Sequence, residues 1–172
     1  MKKLMSVAML AAAMSVGGCA TVMNGTSQPV EFQSDPAGAT VKLVNGMECQ
    51  APCNFEMKRG RDSMVTFTMA GYEPVSVYIQ SRTGGSVVGN VLAGGLIGGI
   101  VDGSNGASNH LYPDPVYVRM VRTGSSDEAV LLDKKGTVIT TVASYNASVA
   151  DDVTKGLQEQ GVASANTAVA VN

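Results

Sequence analysis

Residues 65–79 read Val-Thr-Phe-Thr-Met-Ala-Gly-Tyr-Glu-Pro-Val-Ser-Val-Tyr-Ile, and this stretch decides the fold class. Val65, Phe67 and Met69 alternate with Thr66 and Thr68; beyond the turn, Val75, Val77 and Ile79 alternate with Ser76 and Tyr78. Successive side chains of a strand point to opposite faces, so this period of two, rich in β-branched residues, marks half-buried strands. Ala70-Gly71 between them is turn chemistry. The same reading extends outward. Val30 and Phe32 alternate with Glu31 and Gln33, and Val41 and Leu43 with Thr40 and Lys42. A last strand, Val116 to Val121, places Val116, Val118 and Met120 on one face. Asp35-Pro36-Ala37-Gly38, Asn45-Gly46 and Lys58-Arg59-Gly60-Arg61 punctuate the strands. Asn45-Gly46 predicts a type I′ hairpin turn, in which both central residues need positive φ. The expected fold is mainly β, a small antiparallel sandwich over residues 30–122.

One segment breaks the pattern. Between Gly84 and Gly106, glycines recur at spacing four: Gly85 and Gly89, Gly94 and Gly98, and Gly95, Gly99 and Gly103. On a helix they form a smooth strip, with Val87, Val91, Leu92, Leu96, Ile97 and Ile100 elsewhere. Such strips let helices approach closely, above all in lipid. Glycine costs a helix ~1 kcal/mol relative to alanine, so the strip needs tight packing. Its apolar core of about fifteen residues would be ~22 Å long as a helix, short for a hydrocarbon core of ~30 Å. Three readings stand: a helical insertion packed on the sandwich or touching a membrane surface, a membrane-inserted or self-associating segment, and a Gly-rich loop. The extension 123–172 is different again. Ala129–Leu132 and Thr137–Val142 flank Asp133-Lys134-Lys135-Gly136 as a hairpin would. Ser144–Gln160 has helical character without a strong apolar stripe, and Ala163–Asn172 reads as disordered.

The opening is a secretory signal in layout: Met1-Lys2-Lys3, an uncharged apolar run Leu4–Val16, then Gly17, Gly18 and Cys19. Val16-Gly17-Gly18-Cys19 resembles the lipobox of bacterial lipoproteins. The resemblance implies a signal peptide over residues 1–18, cleavage before Cys19, and diacylglycerol on the Cys19 thiol. Each buried methylene contributes ~0.8 kcal/mol, so two or three acyl chains hold a protein on a membrane. Ala20, where an Asp would signal inner-membrane retention in the Gram-negative family, implies the outer membrane. Residues 19–29 then form a tether.

Removing Lys2 and Lys3 from the 12 basic residues leaves ten against 14 acidic ones, so the mature chain carries about −4. No basic cluster stands out, which argues against nucleic acid and against an electrostatic membrane patch. Trp is absent, which removes sugar sites built on stacked indoles. Cys49 and Cys53 remain in an oxidising compartment, and a disulfide between them is expected. Two free thiols, or a metal pair, are the other readings; a metal needs more ligands, and the one His is distant at His110.

Pro36-Ala37-Gly38-Ala39 resembles the Pro-Glu-Gly-Ala signature of PEGA domains, with Ala37 in place of Glu. Ala51-Pro52 stands where that family often has Thr-Pro, and Gly71-Tyr72-Glu73-Pro74 is similar to its Gly-Tyr turn. The match covers roughly Gln28 to Gln80. The order of lipobox, Asn-Gly-Thr, PEGA-like segment, Cys-x-x-x-Cys, Gly-rich stretch and Tyr-Pro-Asp is similar to a group of PEGA-domain lipoproteins. The resemblance implies a small β-sandwich of the cell envelope that takes a protein or carbohydrate ligand.

No catalytic arrangement is legible. His110 and Asp114 lie near each other in sequence, but no Ser in a strand–helix elbow accompanies them. The Gly-rich segment lacks the Lys-Ser/Thr of a phosphate loop, and Asp102-Gly103-Ser104-Asn105-Gly106 lacks the carboxylates of a calcium loop. The expectation is a non-enzymatic envelope lipoprotein with no cofactor and no metal. Its expected partners are the membrane through the anchor, an envelope protein or glycan, and a second copy of the chain; the alternative is a membrane-active oligomer built on the glycine strip.

Overall fold

The computed structural model describes residues 25–83 and 109–162. The signal peptide, Cys19, the glycine strip from Gly85 to Gly103 and the last ten residues lie outside them. The described chain forms ten strands: β1 (Ser27–Asp35), β2 (Thr40–Leu43), β3 (Glu48–Gln50), β4 (Cys53–Lys58), β5 (Ser63–Thr68), β6 (Val75–Thr83), β7 (Asn109–Tyr112), β8 (Val116–Arg119), β9 (Val130–Leu132) and β10 (Val138–Thr141). One helix, α1 (Val142–Glu159), follows.

Two five-stranded sheets result, ordered β10-β9-β8-β1-β4 and β3-β2-β5-β6-β7. The alternating apolar residues supply their inner faces: Val30, Phe32, Val41, Val65, Phe67, Val77, Ile79, Leu111, Val116 and Val118 are fully buried in one cluster. Fully burying each such side chain contributes about 1.5–3 kcal/mol, so this shared layer is the main cohesive term. The expected antiparallel arrangement needs correcting, because β1 pairs antiparallel with β4 but parallel with β8, Phe32 opposite Val116. The chain reaches β8 from β7 by leaving one sheet for the other at Pro113-Asp114-Pro115, and that crossing sets the direction of β8. The first strand also begins at Ser27 rather than Val30, with Pro29 opposite Glu56.

The turns follow their residues. At Asp35–Gly38 the chain passes from β1 in one sheet to β2 in the other. Gly38 holds φ 96° and donates its N–H to Ala51 O at 2.9 Å. A left-handed backbone of this kind favours glycine. The β2–β3 hairpin forms, but not on a two-residue turn. Gly46 N donates to Leu43 O, Leu43 N donates to Met47 O, and Asn45 Oδ1 accepts from Met47 N, giving a three-residue loop with Gly46 at φ 87°. The Asn side chain closes its own turn here.

The segment after Thr123 is woven into the domain. β9 pairs with β8 and extends the first sheet, and the β9–β10 hairpin turns on Asp133, whose Oδ1 accepts from Lys135 N and Thr137 N, each at 2.8 Å. Thr141 caps α1 by accepting from Ser144 N. The helix does carry an apolar stripe, contrary to the sequence reading: Val142, Tyr145, Val149 and Val153 are buried in the common core. The stripe is one residue wide, so small and polar neighbours hide it from a pattern search.

Candidate functional site

Three places in the described residues gather chemistry. The first is the corner between β3 and β4. Val41 pairs with Cys49 at the edge of one sheet, and Phe32 pairs with Cys53 at the edge of the other. The Cys49–Cys53 disulfide closes this corner across Gln50-Ala51-Pro52, with the Cα atoms 6.4 Å apart. The expected bond is present, and it ties together two edge strands of different sheets.

The second is the helix side of β6. Asp62, at the start of β5, accepts from Ser81 N at 2.8 Å. Burial pushes its carboxyl above the ordinary range; the Ser81 N–H opposes this, and the charges of Asp152 and Glu159 add to it. A Cβ built on Gly156 would overlap Asp62 Oδ2, so a larger residue there must push the carboxylate aside. Asp152 accepts from Gln80 Nε2 at 2.8 Å, and Arg82 Nε donates to Gln80 Oε1. Tyr145 donates its hydroxyl proton to Tyr112 O at 3.0 Å, and burial holds its phenol neutral, well above the ordinary value. These groups are committed to one another and fasten the helix.

The third is a cleft of about 540 Å³ beside the β1–β2 turn and the β9–β10 hairpin. Tyr72, Arg119, Arg122, Asp127, Glu128 and Val138 line it. Arg119 is ion-paired with Asp35 at 2.8 Å, and Val138 is half exposed. Among the described residues the cleft holds no nucleophile paired with a histidine. No group of three or more His, Cys, Asp or Glu able to hold a metal ion occurs among the described residues. His110 is exposed on β7, opposite Arg82, and Asp114 accepts from Gln28 Nε2 at 3.0 Å, so the two do not form a dyad.

One end of the molecule has a geometry that sequence reading missed. Thr83 and Asn109 are direct partners at the end of the β6–β7 ladder, so the segment 84–108 leaves and returns at a single point. Arg59 joins that point to the start of β1: its Nε donates to Ser27 O at 3.0 Å and its guanidinium reaches Asn109 O at 3.5 Å. Arg59 N also donates to Thr26 O at 2.9 Å, and its own carbonyl accepts from Ser81 Oγ. The start of β1 and the two strand ends that flank the segment 84–108 therefore share one pole.

The described residues define a small, mainly β domain of two sheets with one helix. No protein-family model, curated protein or solved structure was found to match the chain. No helix among the described residues is long and apolar enough to cross a membrane.

Proposed function

We propose that this chain is a lipid-anchored protein of the cell envelope whose PEGA-like β-sandwich acts as a non-enzymatic structural or binding module, with the outer membrane as its seat. The observation that carries the reading is the shared pole. The two stretches of sequence with membrane character, the lipobox end of the tether and the apolar segment 84–108, are rooted side by side through Arg59. Only Ala20 to Thr26 separate Cys19 from β1, a reach of at most ~25 Å. A disulfide at the β3–β4 corner fits an oxidising compartment. Cys19→Ser tests the anchor: acyl-chain labelling should vanish and the uncleaved precursor accumulate, whereas normal processing of the variant would refute it.

The pole also favours a second role for the same protein. On this reading the segment enters and leaves the domain within a tether's length of the anchor, and the glycine strip serves contact with that bilayer or with the strip of a second copy. The ligand end is then the cleft at Tyr72. A photoreactive residue replacing Tyr72 in intact cells should give a defined adduct with an envelope protein or glycan. The same group at Lys134, on the exposed hairpin, should not; equal labelling from both positions would remove the cleft from the reading.

A further inference from the structure

The turn Lys58-Arg59-Gly60-Arg61 reads in sequence as a loop between strands, and the composition argues against an electrostatic membrane patch; the position of the turn in the fold is what reopens that question. In the fold it lies at the pole where the tether and the Gly-rich segment are rooted. Lys58 is the register partner of Ser27, and Arg59 spans Ser27 and Asn109. Lys58 and Arg61 are exposed, and neither takes part in an ion pair among the described residues. Of the nearby carboxylates, Asp62 accepts from Ser81 N and Asp152 accepts from Gln80 on the helix side, while exposed Glu56 and Glu159 form no ion pair with the turn. Arg82 is likewise turned toward Gln80 and does not join the turn.

We propose that this basic turn is a docking surface for anionic lipid headgroups, setting the domain on the bilayer with the Lys58–Arg61 pole down. The proposal rests on the lipid-anchor reading and adds to it the orientation and the lipid class. A cation near an anionic leaflet gains about fivefold in binding, and the gain fades within a Debye length of ~10 Å at 0.1 M salt. The tether, at most ~25 Å when fully extended, is short enough for the turn to reach the leaflet when it coils. Three cations of a chain with net negative charge therefore stand where the chain enters the interface.

The test uses the full chain carrying its lipid, placed in phosphatidylcholine vesicles with or without phosphatidylglycerol. Amines are acetylated with a membrane-impermeant reagent and read lysine by lysine by mass spectrometry. Lys58 should be protected several-fold relative to Lys134 and Lys135 when phosphatidylglycerol is present. That protection should disappear in pure phosphatidylcholine and in high salt, and weaken in Arg61→Gln. Equal acetylation of Lys58 in both vesicle types would overturn the proposal. Flotation is scored first. If the protein carries no lipid, the anchoring reading fails by itself, and the pole is judged by sedimenting that chain with phosphatidylglycerol vesicles. Binding that weakens about fivefold with each of Lys58→Gln and Arg61→Gln sustains the pole; absence of binding overturns it.

Discussion

Asp62 and Gly156 set local and tertiary preference against each other. Alanine at an interior helix position is favoured over glycine by ~1 kcal/mol, yet a Cβ at Gly156 would displace the Asp62 carboxylate. The displaced group would lose its bond to Ser81 N, and a hydrogen bond to a charged group is worth about 1.5–3 kcal/mol when well formed. Partial exposure of Asp62 reduces that figure, so Gly156→Ala should destabilise by roughly 1 kcal/mol, measured by urea unfolding. In an Asp62→Ala background the same substitution should stabilise, and a cycle without this change of sign would show that the two sites are uncoupled. Asp62 also gives a pH dependence. Its carboxyl titrates above the unfolded value of 3.8, chiefly through burial. Protonation therefore favours the fold below that value, and the contribution is lost as pH rises through the raised folded value. The stability of Asp62→Asn relative to the parent should accordingly increase over that interval and then level off. A difference that stays flat from pH 3 to pH 7 would contradict this.

At the scale of elements, α1 closes an edge of the second sheet. Over Ser76–Tyr78 one side of β6 is paired with β5, while β7 reaches only Gln80–Thr83. The other side of Ser76–Tyr78 is met by Asn146, which donates to Ser76 O at 2.8 Å and accepts from Tyr78 N at 3.0 Å. One amide thus does what a neighbouring peptide group would do, and the edge is no longer a template for another strand. Asn146→Leu should leave both backbone groups unpaired, cost about 1–3 kcal/mol and speed hydrogen exchange at Tyr78. Unchanged exchange there would mean that water or a neighbour replaces the amide. Val153→Ala, on the buried stripe, should cost about 2 kcal/mol and loosen the helix first. The disulfide acts at the same scale. Its loop is short, so the double variant Cys49→Ser, Cys53→Ser should lose only about 2 kcal/mol and keep both sheets, by circular dichroism and urea unfolding.

For the whole molecule, the consequence is polarity: the start of β1 and the strand ends Thr83 and Asn109 meet at one pole, and the cleft lies at the Asp35 end of β1. Replacing Gly95 and Gly99 by Leu should abolish crosslinked oligomers or membrane protection and leave the sandwich folded; unfolding without a change in association would make the strip internal packing. The strands were legible because a period of two needs only near neighbours, and Val65–Ile79 or Val116–Met120 declare it by themselves. The β9–β10 hairpin was legible from Asp133-Lys134-Lys135-Gly136 for the same reason, and the Cys49–Cys53 pair from compartment and spacing. The parallel β1–β8 pairing, the Asn146 clasp, the Asp62–Gly156 contact and the Arg59 bridge were not. Each joins residues far apart in the chain, and their partners carry no local signature. The sequence by itself determined seven of the ten strands, the helix and the places of most turns, because those depend on backbone preference within a few residues; β3, β4, β7, the form of the Asn45-Gly46 turn and the buried stripe of the helix it did not show. Which sheet each strand joins, what covers the open edge of β6, and the meeting of Ser27 and Asn109 at Arg59 were decided by tertiary structure, because burial and hydrogen-bond satisfaction are settled only when distant segments compete for the same core and the same edge.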